Sequence, residues 1–406
     1  MKVPLLDLKL QYAQIKDEIR SAIEEVLESQ QFIFGPKVES FESEIAQYVK
    51  ADHAIGISSG TDALLISLMA LDIGKIEKNE RTKEEDFVIT SPFTFFSTAS
   101  SISRLGATPL FVDIDPLTYN LSPGKIEETI TSLNKDQLKK VRAIIPVHLY
   151  GQCADMNSIV KISKKYDLKI IEDAAQALGA KYLKGGSDDI YRFSGSRGNF
   201  GCFSFFPTKN LGGYGEGGMV VTHHESLANK IRSLRHHGCR SQQEQYYYDR
   251  IGINGRLDAL QAAILKVKLK HLDRWTVKRR LNADNYNKMF KETGLVTDRE
   301  DHKLEEKPLG LPYVRDGNYH VFNQYIIRAR ERDRLKKFLN QNGIGCGIYY
   351  PLPIHLQSCY QELGYKEGSF PEAEKAAREV LALPVYPELT EEQQEIVVAT
   401  IGHFYK

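Results

Sequence analysis

Leu168-Lys169-Ile170-Ile171-Glu172-Asp173-Ala174-Ala175-Gln176 is an apolar run that stops at two adjacent carboxylates and continues in small residues. Such a run suits a strand covered on both faces of a sheet, with its charge gathered at the carboxyl end. The same pattern repeats outward from it. Short apolar runs predict strands at 54–58, 87–91, 109–113, 143–149, 168–172, 202–206 and 218–222, and helical periodicity predicts helices at 61–71, 94–105 and 156–166. Strands alternating with helices predict an α/β fold, a mostly parallel mixed sheet flanked by helices. Ligands in such sheets bind at the carboxyl ends of the strands. Ser59-Gly60-Thr61, Pro92-Phe93-Thr94-Phe95, Asp173 and Ser204 all fall at such ends.

Around this sheet the sequence predicts an amphipathic opening helix at 11–29, a solvated mixed-charge loop at 75–86 and a long polar loop at 185–201. The apolar spacing Leu257, Leu260, Ile264, Val267, Leu272 predicts one long helix or two joined helices over 257–292. These divide the chain into a large α/β domain at 1–256, the bridge at 257–292 and a smaller C-terminal α+β domain at 293–406. Within the last, strands are expected at 322–327 and 346–350 and helices near 330–342 and 371–383. The charge balance, 54 basic against 53 acidic residues for a net +1, offers no electrostatic footprint for nucleic acid or membrane and points to a small-molecule partner. Five cysteines without CxxC spacing argue against a disulfide framework or a zinc site and read as reduced thiols. With no signal-like segment at the start and no run of about 18 apolar residues, a cytoplasmic protein is expected.

The chemistry centres on Lys209, which follows Ser204-Phe205-Phe206-Pro207-Thr208 and precedes the glycine-rich stretch 212–218. Most of the 54 basic residues are solvated surface charges, but this one sits at the mouth of a buried strand. Ser58-Ser59-Gly60-Thr61 turns a strand into a helix, so free backbone N–H groups and the positive helix end converge there. Gly60 permits close approach of a phosphate and the Thr61 hydroxyl adds a donor, although an ordinary capped turn has the same sequence. Asp62, in the first helical turn, suits the dipole and must point away from a phosphate. Asp173 ends a buried strand and needs a partner to stay charged: a protonated ring nitrogen, or helix amides if it is an N-cap. Gln176 is expected to reach the same ligand from a helix, at a phenolate oxygen. Phe95 is expected to lie flat on the ring, or equally to be a core aromatic. A Schiff-base lysine, a carboxylate facing a pyridinium nitrogen and a phosphate cradle are what pyridoxal phosphate requires of a protein. Gly213-x-Gly215-x-x-Gly218 matches a dinucleotide fingerprint in letters only, because the strand Met219-Val220-Val221 follows it where a helix is needed. The pairs His223-His224 and His236-His237 lack metal-ligand spacing, so no metal is expected.

From Leu6-Asp7-Leu8 to its end the chain resembles the DegT-type nucleotide-sugar aminotransferases, fold-type I pyridoxal phosphate enzymes. The matching stretches include Phe34-Gly35-Pro36, Ser59-Gly60-Thr61-Asp62-Ala63-Leu64, Val147-His148-Leu149-Tyr150-Gly151, Glu172-Asp173-Ala174-Ala175-Gln176, Gly252-Ile253-Asn254-Gly255-Arg256-Leu257-Asp258 and Tyr350-Pro351-Leu352-Pro353-Ile354-His355. The resemblance implies Lys209 as the Schiff-base lysine, Asp173 on the pyridine nitrogen, Gln176 near the phenolate, and Gly60, Thr61, Asp62 and Ser204 around the phosphate. It further implies that Asn254 reaches the phosphate of a partner subunit, so that a homodimer shares its active sites, and that Phe34, Gly35, His148, Arg256, Tyr350 and His355 contact substrate. The implied reaction takes an amino group from L-glutamate to a nucleotide-linked keto-sugar, as in cell-surface polysaccharide synthesis. Phe206-Pro207 and Tyr246-Tyr247-Tyr248-Asp249-Arg250 look most like members that aminate the 3-keto position of UDP-N-acetyl sugars; a 4-keto or dTDP-linked sugar is the alternative. A pyridoxal-phosphate sugar dehydratase shares the fold, but those relatives carry histidine where Lys209 stands. A non-catalytic sugar-binding protein would need no Schiff base. The loops at 75–86 and 185–201 look like insertions relative to common members.

Overall fold

The computed structural model describes residues 2–74, 86–183, 190–240, 244, 246–297 and 304–406. The expected loop at 75–86 therefore lies outside the described residues except for Asp86, and the loop at 185–201 is described from 190 onward. α1 (Leu8–Ser29) starts three residues earlier than expected because the Asp7 side chain accepts the Lys9 N–H at 2.9 Å and caps it. α2 (Pro36–Val49), which no expectation covered, buries Val38, Phe41, Ile45 and Val49 along one face. Then come β1 (His53–Ile57), α3 (Gly60–Ala70), β2 (Phe87–Thr90), α4 (Phe96–Arg104), β3 (Thr108–Phe111), α5 (Pro123–Ser132), α6 (Lys135–Lys140), β4 (Val141–Ile145), α7 (Met156–Tyr166) and β5 (Lys169–Asp173). A short hairpin of β6 (Lys181–Leu183) and β7 (Tyr191–Phe193) precedes β8 (Phe200–Ser204), β9 (Gly218–Thr222) and α8 (Glu225–Leu234).

Among the described residues these strands build a seven-stranded sheet in the order β1-β9-β8-β5-β4-β2-β3. The pairs β3/β2, β2/β4, β4/β5 and β5/β8 are parallel, while β9 runs antiparallel to both β8 and β1. All strands but β9 thus point the same way. The carboxyl ends of β1, β2, β4, β5 and β8 open on one edge, and the amino end of β9 returns among them. α3 lies against the sheet with every residue from Ala63 to Ala70 buried, its apolar face spread around the whole helix as burial on all sides demands. α1, α2 and α9 (Ala259–Leu269) cover the opposite face.

The bridge resolves into two helices, α9 and α10 (Leu272–Glu292). Beyond it lie β10 (Leu309–Gly310), β11 (Asn318–Tyr319), β12 (Tyr325–Ala329), α11 (Arg332–Gln341), α12 (Pro371–Glu379), β13 (Val380–Leu383) and α13 (Glu391–Phe404). β10, β12 and β13 form an antiparallel sheet packed on α10, α11 and α13. Two expectations are corrected here. The helix expected over 371–383 ends at Glu379, because Val380–Leu383 pairs with β12 and is buried throughout. The strand expected at 346–350 reduces to a single bridge, Gly347 to Ala382. Early and late parts of the chain also interlock: Val3 bridges Ile344, which packs in the core around β12, and β11 extends the β6/β7 hairpin. Among the described residues no helix is long and apolar enough to cross a membrane, no group of side chains is arranged to hold a metal ion, and all five cysteines are free.

Candidate active site

Two turns meet where β1, β8 and β9 come together. Ser59 caps α3, its Oγ accepting the Asp62 N–H at 3.0 Å. The Asp62 carboxylate accepts the hydroxyls of Ser58 (2.6 Å) and Ser59 (2.9 Å), and is thereby held by its own turn. A Cβ on Gly60 would stand 2.7 Å from Ser204 Cβ, and one on Gly218 would stand 2.4 Å from the Ser59 carbonyl oxygen. Only glycine lets these backbones close together, which brings Gly60, Thr61 and Ser204 to one spot at the positive end of an eleven-residue helix. An anion fits that spot.

Lys209 stands on the turn after β8. Its N–H donates to the Phe206 carbonyl at 2.9 Å, and the segment beyond folds back through Gly213 N–H to the Phe205 carbonyl at 2.8 Å. Burial pulls its ammonium down to about 8, and the charge of Asp173 pulls the other way. Asp173, the last residue of β5, has its carboxyl pushed up by burial. The Thr98 hydroxyl, which donates to Oδ2 at 2.7 Å, the Ala175 N–H at 3.2 Å and the charge of Lys209 oppose this. A buried carboxylate with so few donors attracts a cation, and a buried amine with a lowered pKa is poised to attack a carbonyl or move a proton.

Behind Asp173 lies a second carboxylate that the sequence reading quoted without a role. Glu172, fully buried, accepts the N–H groups of Gly195 (2.9 Å), Arg197 (2.6 Å) and Gly198 (2.6 Å) and pairs with His148 Nε2 at 2.8 Å. Burial drives its carboxyl up, but the His148 hydrogen bond and the amides of Gly198 and Arg197 outweigh that and hold it below the ordinary value. His148 Nδ1 accepts the Ala154 N–H at 3.1 Å, which leaves the ring proton on Nε2. Both ring nitrogens are engaged and the ring is fully buried, so His148 presents no surface to a substrate. His355 is also buried, its Nε2 at 3.1 Å from Glu374 and its ring against Phe370, but its Nδ1 has no partner among the described residues. Both histidines expected to contact substrate are thus buried within the protein.

Gln176 lies in a turn after β5, where a helix was expected. Its Oε1 accepts the Tyr150 N–H at 2.6 Å and its Nε2 donates to the Tyr350 hydroxyl at 3.2 Å. Tyr350 faces Phe93 and Phe95 at centroid distances of 6.3 and 6.1 Å, so the C-terminal domain contributes an aromatic to the cleft. Phe95 precedes the first residue of α4 and is 56% exposed, an open aromatic face with no place in the core. Thr98 was missed by the sequence reading. Its only signal is its place one helical turn after Thr94, to which its hydroxyl bonds at 3.1 Å.

Phe34, Arg235, His236 and Arg256 form a separate cluster beside the Ser58 turn, which they adjoin through the Ser58 N–H to Gly255 carbonyl bond of 2.9 Å. Arg235 and Arg256 lie 5.2 and 5.8 Å from the Phe34 ring, and each has a buried Nε–H without an acceptor among the described residues. Gly35, at φ 81°, starts α2 next to this ring. Asn254 is exposed on the same loop.

Comparison with known proteins agrees with this architecture. The description DegT/DnrJ/EryC1/StrS aminotransferase family matches residues 13–402. A Geobacillus stearothermophilus protein named "Pleiotropic regulatory protein" is 48% identical, spanning 100% of this chain and 99% of its own length. The UDP-N-acetyl-3-dehydro-alpha-D-glucosamine 3-aminotransferase of Acidithiobacillus ferrooxidans is 40% identical, spanning 96% of this chain and 95% of its own. Among solved structures, Streptomyces venezuelae DesV matches with a TM-score of 0.88 at 36% identity, covering 100% of this chain and 99% of that one. With a family match over nearly its full length and relatives similar from end to end, the chain belongs to the DegT/DnrJ/EryC1/StrS aminotransferases, pyridoxal-phosphate-dependent enzymes of fold type I that act on nucleotide sugars.

Proposed function

We propose that the chain transfers an amino group from L-glutamate to the 3-keto position of a UDP-linked N-acetyl-hexose, with Lys209 and Asp173 as its catalytic residues. The observation that carries the reaction is a buried amine on the turn after β8, lowered to about 8, within reach of the charge of a buried carboxylate at the end of β5, near the close approach of Gly60 to Ser204. In this reading the α3 amino end, Gly60, Thr61 and Ser204 hold the cofactor phosphate. Asp62 orients the turn through Ser58 and Ser59. Asp173 would hold the ring nitrogen, Gln176 and Tyr350 would bind the ring's oxygen, and Phe95 would cover the ring. Pyridoxal phosphate, when bound, supplies an electron sink for a carbanion at the amino-bearing carbon. Asp173 would keep the ring nitrogen protonated, and the neutral Nζ of Lys209 would hold and return the proton in transit. Thr98 holds the Asp173 carboxylate in place, and the Glu172–His148 pair fixes the strand end that carries it.

The substrate choice rests on two supports. Arg256 beside the Phe34 ring suits a nucleotide diphosphate, whose charge would engage its guanidinium and whose base would meet an aromatic ring, whereas Arg235 is buried and already paired with Glu42. The Acidithiobacillus relative is named for a 3-keto UDP-sugar. Exposed Asn254 is proposed to reach the cofactor phosphate of a second copy, so that two chains complete two sites.

The test loads the protein with pyridoxal phosphate, follows loss of the visible band on adding L-glutamate, and then offers 3-keto and 4-keto sugars linked to UDP or dTDP. The amine is expected at C3 of the UDP-N-acetyl sugar, identified by mass spectrometry and NMR. Amination of only a 4-keto or only a dTDP-linked sugar overturns the substrate assignment, and a yellow band indifferent to every amino acid overturns the reaction.

A further inference from the structure

We propose that a cavity between the two domains beside Lys209, walled by Arg279, Asn323 and Gln324, receives a carboxylate of the amino-acid donor. This rests on the transamination reading above. The cavity measures about 250 Å³ and is also lined by Thr208, the neighbour of Lys209, and by Leu6 and Val385. Arg279 on α10 is 4% exposed; its Nη1 donates to the carbonyls of Phe322 (3.2 Å) and Val385 (2.8 Å), and no carboxylate pairs with it among the described residues. Glu388 acts on it only through space. A guanidinium kept this dry without a directly bonded carboxylate is costly, and an anion in the cavity reduces that cost.

The second observation is independent of charge. Asn323 is 8% exposed, and among the described residues neither its Oδ1 nor Gln324 Oε1 has a hydrogen-bond partner. Both carboxamides line the same cavity. A carboxamide offers an oxygen or, turned over, an NH2 group, so each of the two can bond a carboxylate or the ammonium beside it. Apart from Thr208 and Tyr349, the rest of the wall is aliphatic: Leu5, Leu6, Ala382, Leu383 and Val385. Cation, carboxamides and aliphatic surface together suit a short carbon chain ending in a carboxylate.

Size and position decide which substrate that is. The volume is below the roughly 300–1,000 Å³ of pockets for drug-sized ligands, which is too small for a nucleotide sugar and sufficient for an amino acid. The Gln324 N–H donates to the Tyr150 carbonyl at 3.4 Å, and the Tyr150 N–H donates to Gln176, so the cavity wall is continuous with the proposed ring site.

The experiment titrates glutarate, a dicarboxylate without the reactive amine, into the pyridoxal-phosphate-loaded protein by calorimetry, and separately measures the L-glutamate concentration that half-bleaches the visible band at equilibrium. Wild type is expected to bind glutarate. Asn323→Ala is expected to weaken binding and raise the half-bleaching concentration by roughly tenfold, the loss of one charge-assisted hydrogen bond. Gln324→Ala, the second carboxamide lining the cavity, gives the same readouts should the first variant fail to fold. Unchanged affinities in both variants, or a wild type that glutamate bleaches but glutarate does not enter, overturn the proposal and leave transamination standing. Glutarate binding that both variants weaken, in a protein glutamate does not bleach, leaves the carboxylate site standing and removes transamination.

Discussion

At the scale of single residues, the cleft is a matter of two charges kept from water. Burial disfavours the charged form of Lys209, so the neutral fraction grows with pH and reaches half at about 8. Covalent uptake of pyridoxal phosphate by the cofactor-free protein, read as growth of the visible band, is therefore expected to accelerate as pH rises toward about 8 and to level off above it. Asp173 raises the Lys209 pKa, so in Asp173→Asn the inflection should move to lower pH. A rate that stays flat between about pH 6 and pH 9 in the wild type contradicts the assignment of Lys209 as the reacting amine. Lys209, Asp173 and the Ser59-Gly60-Thr61 turn were legible in the sequence because each needs a particular residue type at a strand end. Thr98 was not legible. A threonine inside a helix carries no mark of the carboxylate it serves, and that carboxylate lies 75 positions away. His148 and His355 misled for the converse reason, since a histidine's residue type is the same on a cleft wall and locked to a buried glutamate.

At the scale of elements, Glu172 joins pieces that the backbone ladder alone leaves separate. It ties β5 to the turn between β7 and β8 through three amides and to the segment after β4 through His148. Glu172→Ala leaves four donors, two of them in fully buried hydrogen bonds, without an acceptor, and a loss of about 3–5 kcal/mol is expected, visible as a lower midpoint in urea unfolding. Glu172→Gln, which keeps an acceptor oxygen, should lose clearly less, and equal stability of all three proteins would show that the amides find other partners. The strands themselves were largely visible beforehand. Met156–Tyr166 and Gly218–Thr222 match the expected bounds because periodicity changes sharply at their ends. Val380–Leu383 was absorbed into a helix because a short apolar run fits a buried strand and a buried helical turn equally well, and only β12 decides between them. α2 escaped notice although Val38, Phe41, Ile45 and Val49 are spaced as one helical face, with Pro36 at its first turn.

For the whole molecule, the proposed homodimer has a direct test. If Asn254 reaches across to a partner's phosphate turn, a Lys209→Ala chain paired with an Asn254→Ala chain has one site carrying both lesions and one carrying neither. Mixing the two inactive proteins under subunit exchange should restore up to about half of the wild-type activity per heterodimer, by counting intact sites. Demonstrated heterodimers that stay inactive would return Asn254 to its own chain's site. The sheet order carries a consequence for how the protein is made. Among the described residues β1 pairs with β9 and, at Ile57, bridges Arg256, so His53 waits for Thr222, far along the chain. During synthesis the first strand, and the turn after it, leave the ribosome well before the segment that will hold them in place. Closure over so long a loop is slow, and until then an apolar edge stands unpaired. The nascent chain is thus most prone to aggregate between the emergence of β1 and that of β9, and a stall or truncation in that window leaves the strand that carries the future phosphate turn as its stickiest surface.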